Sequence, residues 1–325
     1  MTRYDRQMLA PQMGEKAQAA LRSARLLVVG LGGLGCPALL YLAGAGAGRI
    51  VLVDADRVER SNLHRQPLYG ESDIGRLKAE AARDRLRDLN PDVETVPVAE
   101  ALDAANAPRL VADADVVLDC ADSFAVTYTL SDTCKALGKP LISASALGLT
   151  GYVGGYCGTA PSVRAIFPDL PNNVTTCATA GVLGPLVGTL GALQAQMAVA
   201  VVTGMTPSPL GQLVTLDLEG YGFRSFRFDR AKEPEDGIFP FIARTELSPG
   251  DLLIELRDER EAPHSLRPDA LRLTVADFQA GPVSLPDAKR VVLCCRSGLR
   301  AWRAAKALRP HRDGPLALLA AGDAA

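Results

Sequence analysis

Short apolar runs alternate with helical spacing along the N-terminal half of the chain. Arg25 opens the run Leu26-Leu27-Val28-Val29, which stops at Gly30 and predicts a buried strand. Glycine-rich residues follow, then a helix over 34–45 and a strand over 49–53 that ends in Asp54. Residues 75–89 have helical spacing and stop at Asn90-Pro91, a good terminator. Further strands are predicted over 93–98, 116–119 and 140–143. Strands that alternate with helices make a mainly parallel sheet covered on both faces. Such sheets bind ligands at the carboxyl ends of their strands, where the strand order reverses. Gly30 to Gly35, Asp54 and Asp122 would all lie there.

The later pattern is more antiparallel, with strands predicted over 151–156, 212–218 and 222–228 around an apolar helix. No charged side chain occurs from Leu170 to Leu216, and 178–202 is long enough to span a bilayer. Pro185, Gln194, Gln196 and several glycines interrupt it, and no basic cluster flanks it. A buried helix in a core is therefore expected, and no membrane. Residues 229–250 turn charged and proline-containing, as a linker would. Strands over 251–257 and 290–294 then imply a second, smaller α/β domain. The expected division is 1–230, a linker over 231–244, and 245–325.

Composition narrows the function more than the fold. Of 325 residues, 48% are hydrophobic and 22% charged, which is ordinary globular usage. The formal net charge of −2 lacks the basic excess of a nucleic-acid surface, so small molecules or proteins are the expected partners. The charged start, Met-Thr-Arg-Tyr-Asp-Arg, has no apolar signal core, and the seven cysteines show no disulfide framework. A reducing cytoplasm is the expected location.

The first chemical motif is Gly30-Leu31-Gly32-Gly33-Leu34-Gly35, between a strand and a helix. Glycine lets the backbone approach phosphate oxygens, and the helix N-terminus adds free N–H groups and partial positive charge. Asp54, ending the next strand, suits ribose hydroxyls. Alone, this motif specifies a nucleotide and fits an NAD-dependent dehydrogenase as well as anything else. The segment Asp54-Ala-Asp56-Arg-Val-Glu-Arg-Ser61-Asn62-Leu-His-Arg65-Gln66, followed by Lys78, changes that. Hydride transfer does not require such a concentration of cations, whereas a triphosphate attacked at its α-phosphate does. Asp122, after the strand ending Leu118-Asp119-Cys120-Ala121, is positioned to hold magnesium beside phosphates.

Arg3-Tyr4-Asp5-Arg6-Gln7, the glycine motif, Asp54-x-Asp56, Ser61-Asn62-Leu63-x-Arg65-Gln66, Gly75-x-x-Lys78 and Asp119-Cys120-x-Asp122 follow in order. Together, over residues 3–228, they resemble the adenylation domain of MoeB and ThiF, the ubiquitin-activating-type enzymes that activate sulfur-carrier proteins. The resemblance implies a Rossmann-like fold and the use of ATP with Mg²⁺. It also implies a nucleotide site built from Gly32, Gly33, Leu34, Asp54, Asp56, Asn62, Arg65, Gln66, Lys78 and Asp122. Within that site, Asp54 would hold the ribose, Asn62, Arg65 and Lys78 the phosphates, and Asp122 the magnesium. Arg6 resembles the arginine that reaches into a partner subunit's site, which implies a homodimer. His64 occupies a variable position of the motif and reads as a solvated or packing histidine.

The cysteines divide by context. Cys177, in Thr175-Thr176-Cys177-Ala178-Thr179-Ala180-Gly181, resembles the family's Thr-Cys-x-x-Ala-Gly segment, whose cysteine can link covalently to the carrier. A thiol before a helix N-terminus would hold more thiolate, and a structural thiol is the alternative. Family members usually carry two Cys-x-x-Cys pairs that bind structural zinc. Here Ser162-Val-Arg-Ala165 stands at the first place, and no pair follows Phe228, so zinc is not expected. Cys36, Cys120 and Cys134 read as small core residues. Cys294-Cys295-Arg296-Ser297-Gly298-Leu299-Arg300 joins a strand to a helix and resembles the active loop of rhodanese sulfurtransferases. Leu253-Ile254-Glu255-Leu256-Arg257 resembles their Leu-Ile-Asp-Val-Arg motif, with Glu255 in place of aspartate. The resemblance covers 245–325, and a purely structural remnant is the alternative to an active Cys295.

The expected function is adenylation of the C-terminal carboxylate of a small ubiquitin-like sulfur carrier (MoaD- or ThiS-like, ending in Gly-Gly). Sulfur would then be supplied from a persulfide on Cys295, with a cysteine desulfurase as its source. Three alternatives stay open: a carboxylate on modified tRNA or a peptide, a non-catalytic carrier-binding scaffold, and the dehydrogenase, for which no hydride-transfer residue is apparent.

Overall fold

The apolar runs assemble into an eight-stranded sheet in the order β3-β2-β1-β4-β5-β6-β7-β8. The computed structural model describes residues 3–170, 181–236 and 238–322. β1 (Arg25–Val29), β2 (Arg49–Val53), β3 (Glu94–Val98), β4 (Val116–Asp119) and β5 (Pro140–Leu147) are parallel. β6 (Thr150–Cys157), β7 (Gln212–Asp217) and β8 (Gly222–Arg227) extend the sheet antiparallel. Val28 of β1 sits opposite Leu52 on one side and Leu118 on the other. Successive side chains of β1 serve two cores: Leu26 and Val28 face one, Leu27 and Val29 the other. A strand buried on both faces reads as an unbroken apolar run, which is how it announces itself in the sequence.

The first core takes α2 (Gly14–Ser23), α3 (Gly35–Gly44), α4 (Lys78–Leu89) and α8 (Gly184–Thr203). The second takes α5 (Ala107–Ala112), α6 (Phe124–Leu137) and the short α7 (Val163–Ile166). Another short helix, α1 (Asp5–Met8), precedes α2. Because β2 flanks β1 on one side and β4 on the other, the strand order reverses at the carboxyl end of β1.

α8 is long and apolar enough to cross a membrane by length and composition alone. Here Leu186, Leu190, Gln194 and Met197 are buried, and the helix packs on α3, β5 and β6. The expected burial holds along that side only. Ala192, Gln196 and Val199, on the other side, border an open groove with Leu40 and Tyr41 of α3.

Two boundaries differ most from the sequence pattern. The helix expected from residue 75 starts at Lys78, because Gly75 has φ +87° and Leu77 forms a bridge with Arg57. β5 runs on to Leu147, paired throughout with β6, through small residues that carry no strand signal of their own.

A second, parallel sheet has the order β10-β9-β11-β12, from β9 (Asp251–Glu255), β10 (Leu271–Arg272), β11 (Arg290–Cys295) and β12 (Leu316–Ala320). Two helices, α9 (Val275–Gln279) and α10 (Leu299–Leu308), complete it. Cys295 faces the core shared with α10, while Cys294 faces the opposite one, as the two-residue period of a strand requires. Tyr128 of α6 and Leu170 are buried in the same core as Phe239, Phe241 and Trp302, so the two sheets share packing.

Candidate functional site

The chain leaves β1 at Val29 and turns through Gly30 to Gly35 into α3. Gly30 has φ +89°, and a Cβ there would fall 2.7 Å from the Ala121 backbone nitrogen. One at Gly35 would fall 2.1 Å from the Gly30 carbonyl oxygen. Only glycine allows β1, the end of β4 and α3 to approach so closely. Gly32, Gly33 and Leu34 form the outer turn, and α3 begins directly after them, so its positive dipole end lies at the turn.

Asp54 is fixed at the end of β2. Its Oδ2 accepts from the Leu31 N–H at 2.7 Å and its Oδ1 from the Asp56 N–H at 2.8 Å. Burial pushes its carboxyl above the usual range, opposed by Lys78 and these two N–H groups. Each oxygen retains capacity for a hydroxyl donor. Lys78, buried at the start of α4, places Nζ 2.9 Å from Asp56 Oδ2. The Asp56 side chain is 73% exposed, so this pair is partly screened by solvent.

Arg65 Nη1 donates to the Ser61 carbonyl at 3.2 Å and lies 2.8 Å from Nε2 of His64, which is exposed as expected. Asn62 donates to Ser61 Oγ at 3.3 Å. Gln66 is buried beside Gly32, and its Oε1 has no hydrogen-bond partner among the described residues. A buried orphan acceptor next to the turn suits a ligand that brings a donor. α8 closes one wall: a Cβ on Gly184 would fall 2.7 Å from the His64 carbonyl oxygen.

Asp122 is exposed just beyond β4. Asp119, fully buried, accepts from Ser143 Oγ at 2.7 Å, Thr127 Oγ1 at 2.7 Å and the Ala121 N–H at 3.2 Å. Burial pushes its carboxyl up to about 6 against those hydrogen bonds. Gln194 of α8 donates to the Asp119 carbonyl at 2.7 Å and to that of Ile142 at 3.4 Å. In the sequence, Asp119 belongs to the Asp119-Cys120-x-Asp122 motif and Gln194 interrupts an apolar run. A lone glutamine in such a run was the available signal, since a buried amide demands partners.

Arg6 is exposed on α1. That helix is anchored by Gln7, which donates to the Ala45 carbonyl at 3.0 Å, at the far end of α3 from the glycine turn. Ten residues of helix separate the two, about 15 Å at 1.5 Å per residue. Arg6 therefore stands apart from the residues gathered around its own turn. Cys177 lies outside the described residues.

Cys36, Cys120 and Cys134 are buried, and burial raises all three thiols, that of Cys36 to about 12. Cys295 differs by its partners. Its Sγ accepts from the Gly298 N–H at 3.2 Å and the Ala301 N–H at 3.4 Å, at the N-terminus of α10. Arg300 donates to the Leu256 carbonyl at 3.1 Å and pairs with Glu261. Glu261 carried no sequence signal. Glu255 grips Arg257 at 2.8 and 2.7 Å in a fully buried pair, which keeps the strand end beside this loop rigid.

Where the resemblance places a first cysteine pair, Ser162 donates to Glu233 through Oγ at 2.5 Å and through N–H at 2.9 Å. Lys135 Nζ meets the same carboxylate at 3.0 Å. No group of three or more His, Cys, Asp or Glu poised for a metal ion occurs among the described residues.

A glycine turn at the switch point of a Rossmann-like sheet, with a fixed carboxylate on β2 and cations on the following segment, defines a nucleotide-site α/β protein. The chain belongs to the ThiF family, whose model matches residues 4–237. It is 49% identical over 219 residues to adenylyltransferase and sulfurtransferase uba4 of Aspergillus fumigatus, covering 64% of this chain and 44% of that one. It is 41% identical over 305 residues to adenylyltransferase and sulfurtransferase MOCS3 of Drosophila grimshawi, covering 91% and 67%. The chain thus spans under half the length of the first relative. The E. coli MccB crystal structure with ATP has the same fold at 22% identity and a TM-score of 0.63, covering 72% of this chain and 73% of that one.

Proposed function

We propose that this chain activates the C-terminal carboxylate of a ubiquitin-like sulfur carrier with ATP, and then supplies its sulfur from Cys295. The observation that carries the first half is Lys78: a buried ammonium at the start of α4 that acts on Asp54, itself bonded to the glycine turn, and pairs with the exposed carboxylate of Asp56. The relatives named adenylyltransferase and sulfurtransferase support both halves.

In the first step a carboxylate oxygen of the carrier attacks the α-phosphorus of ATP. The bond to the bridging oxygen breaks, and pyrophosphate leaves with the electron pair. The attacking carboxylate is already ionised near neutral pH, so no general base is needed. Lys78, Arg65 and Asn62 hold the phosphate oxygens where charge grows. Asp54 and Gln66 orient the ribose and its surroundings. Asp122 is an exposed carboxylate just past β4, whereas Asp119 is engaged internally. One carboxylate with phosphates and water is a usual Mg²⁺ ligand set, and the ion would neutralise phosphate charge. Arg6 serves the site of a second copy in a homodimer, and the cytoplasm is the proposed location.

In the second step the terminal sulfur of a Cys295 persulfide attacks the acyl carbon, and AMP leaves with the electron pair. The resulting acyl disulfide is cleaved by a thiolate, with Cys177 as the candidate. That thiolate attacks the Cys295 sulfur and releases the carrier thiocarboxylate. A dithiol reductant then restores the Cys177–Cys295 disulfide to two thiols, and a cysteine desulfurase reloads Cys295. The N–H groups of Gly298 and Ala301 donate to Cys295 Sγ and hold it in place at the N-terminus of α10.

Carrier-dependent exchange of labelled pyrophosphate into ATP tests the reading. Exchange that needs the carrier and its terminal glycine carboxylate is expected, and none above background in their joint presence would refute it.

A further inference from the structure

The sulfur-bearing unit is not merely tethered beside the adenylating one. Three contacts seat it on α6, α7 and the residues that follow α7. Arg164 is buried and grips Asp132 at 2.6 and 2.8 Å, with its guanidinium 4.8 Å from the centre of the Tyr128 ring. The same guanidinium donates across the junction to the Phe239 carbonyl at 3.3 Å. Tyr128, whose hydroxyl donates to the Phe167 carbonyl at 2.6 Å, is buried in the core that also holds Phe239, Cys295 and Trp302. Beyond them, Lys306 of α10 meets Asp169 at 2.8 Å.

The placement of α6 gives these contacts a consequence. Its first residues, Phe124 and Ala125, pack against the same core, and they follow Asp122 by two and three positions. One helix therefore touches both the proposed magnesium carboxylate's loop and the core behind the Cys295 loop. A buried guanidinium with a carboxylate, a ring and a carbonyl all satisfied is a rigid joint, because moving any partner strands a charge.

We infer that Arg164 is a positioning residue for sulfur transfer: it locks the Cys295 unit onto α6 in the pose from which the persulfide meets the acyl-adenylate. The inference rests on the two-step reading above and adds that transfer proceeds with the unit docked.

Arg164→Leu in the full chain tests it. Carrier-dependent pyrophosphate exchange is expected within about 2-fold of wild type. Thiocarboxylate formation at saturating carrier and sulfur donor is expected to fall at least about 10-fold through kcat, with the KM for carrier unchanged. Persulfide loading of Cys295, read by alkylation and mass spectrometry, stays at the wild-type level. The radius of gyration from small-angle scattering grows, and Arg164→Lys recovers part of the transfer rate. Lys306→Glu, which reverses the charge that pairs with Asp169 and lies over the Trp302 ring, moves the same readouts in the same direction by a smaller factor.

Undiminished thiocarboxylate formation in Arg164→Leu would overturn the inference. So would exchange falling in parallel with transfer, lost persulfide loading, or slowed transfer with unchanged scattering. Absence of exchange in the wild type would instead overturn the underlying reading.

Discussion

Lys78→Met separates catalysis from stability. Methionine keeps most of the aliphatic stem of Lys78, which is buried at the start of α4, and removes only the ammonium. That ammonium pairs with Asp56 at 2.9 Å, and Asp56 is largely exposed. An ion pair with one arm in water contributes about 0–1 kcal/mol, so stability should move by no more than about 1 kcal/mol. The transition state differs, because a preorganised cation there meets phosphoryl charge in a partly dry site. Loss of one such group costs about 2.7–4 kcal/mol, or roughly 100- to 1,000-fold. Carrier-dependent exchange, measured as kcat/KM for ATP beside a thermal melt, should show that large loss with a nearly unchanged Tm. Exchange within about 5-fold of wild type would refute the role of Lys78, and a melt lowered enough to unfold the enzyme at the assay temperature would refute the separation.

Three further outcomes follow from other contacts. Cys295→Ala should keep exchange at the wild-type rate and abolish thiocarboxylate; normal thiocarboxylate from the same donor would remove the cysteine from the mechanism. Asp119, whose folded pKa near 6 lies above the unfolded value of 3.8, keeps its proton longer in the native state. Its contribution is therefore full below pH 3.8 and fades as pH rises to about 6, by about 3 kcal/mol. Asp119→Asn should remove that component, and urea titrations across this window that stay parallel to wild type would contradict it. Glu255→Gln leaves Arg257 buried without its counter-charge, and should cost about 3–5 kcal/mol in the second sheet. Hydrogen exchange of β9 and β11 reads this, and unchanged protection would be the contrary result.

What the sequence disclosed and what it hid separate by distance along the chain. The glycine turn, Asp54 and the cations of 62–78 are local, and each followed from a strand end or a helix start. The internal engagement of Asp119 was hidden, since Ser143 and the side-chain amide of Gln194, which donates to the Asp119 carbonyl, come from 24 and 75 residues away. Ser162–Glu233 and Arg164–Phe239 span 71 and 75 residues, so neither has a local pattern. The short β10 and the alanine-leucine run of β12 lacked a strand period strong enough to predict, although each pairs cleanly with a neighbour. Cys295 was legible because a strand–loop–helix connection aims backbone N–H groups inward by construction. Glu261, which pairs with Arg300 of the same loop, was not.

The central claim, attack of a carrier carboxylate on the α-phosphorus, is tested most directly by isotope transfer. The carrier is labelled with ¹⁸O in its C-terminal carboxylate and incubated with enzyme, ATP, Mg²⁺ and sulfur donor. One labelled oxygen should appear in AMP for each thiocarboxylate formed, with none in pyrophosphate. Unlabelled AMP, or label found in orthophosphate alongside ADP, would contradict it.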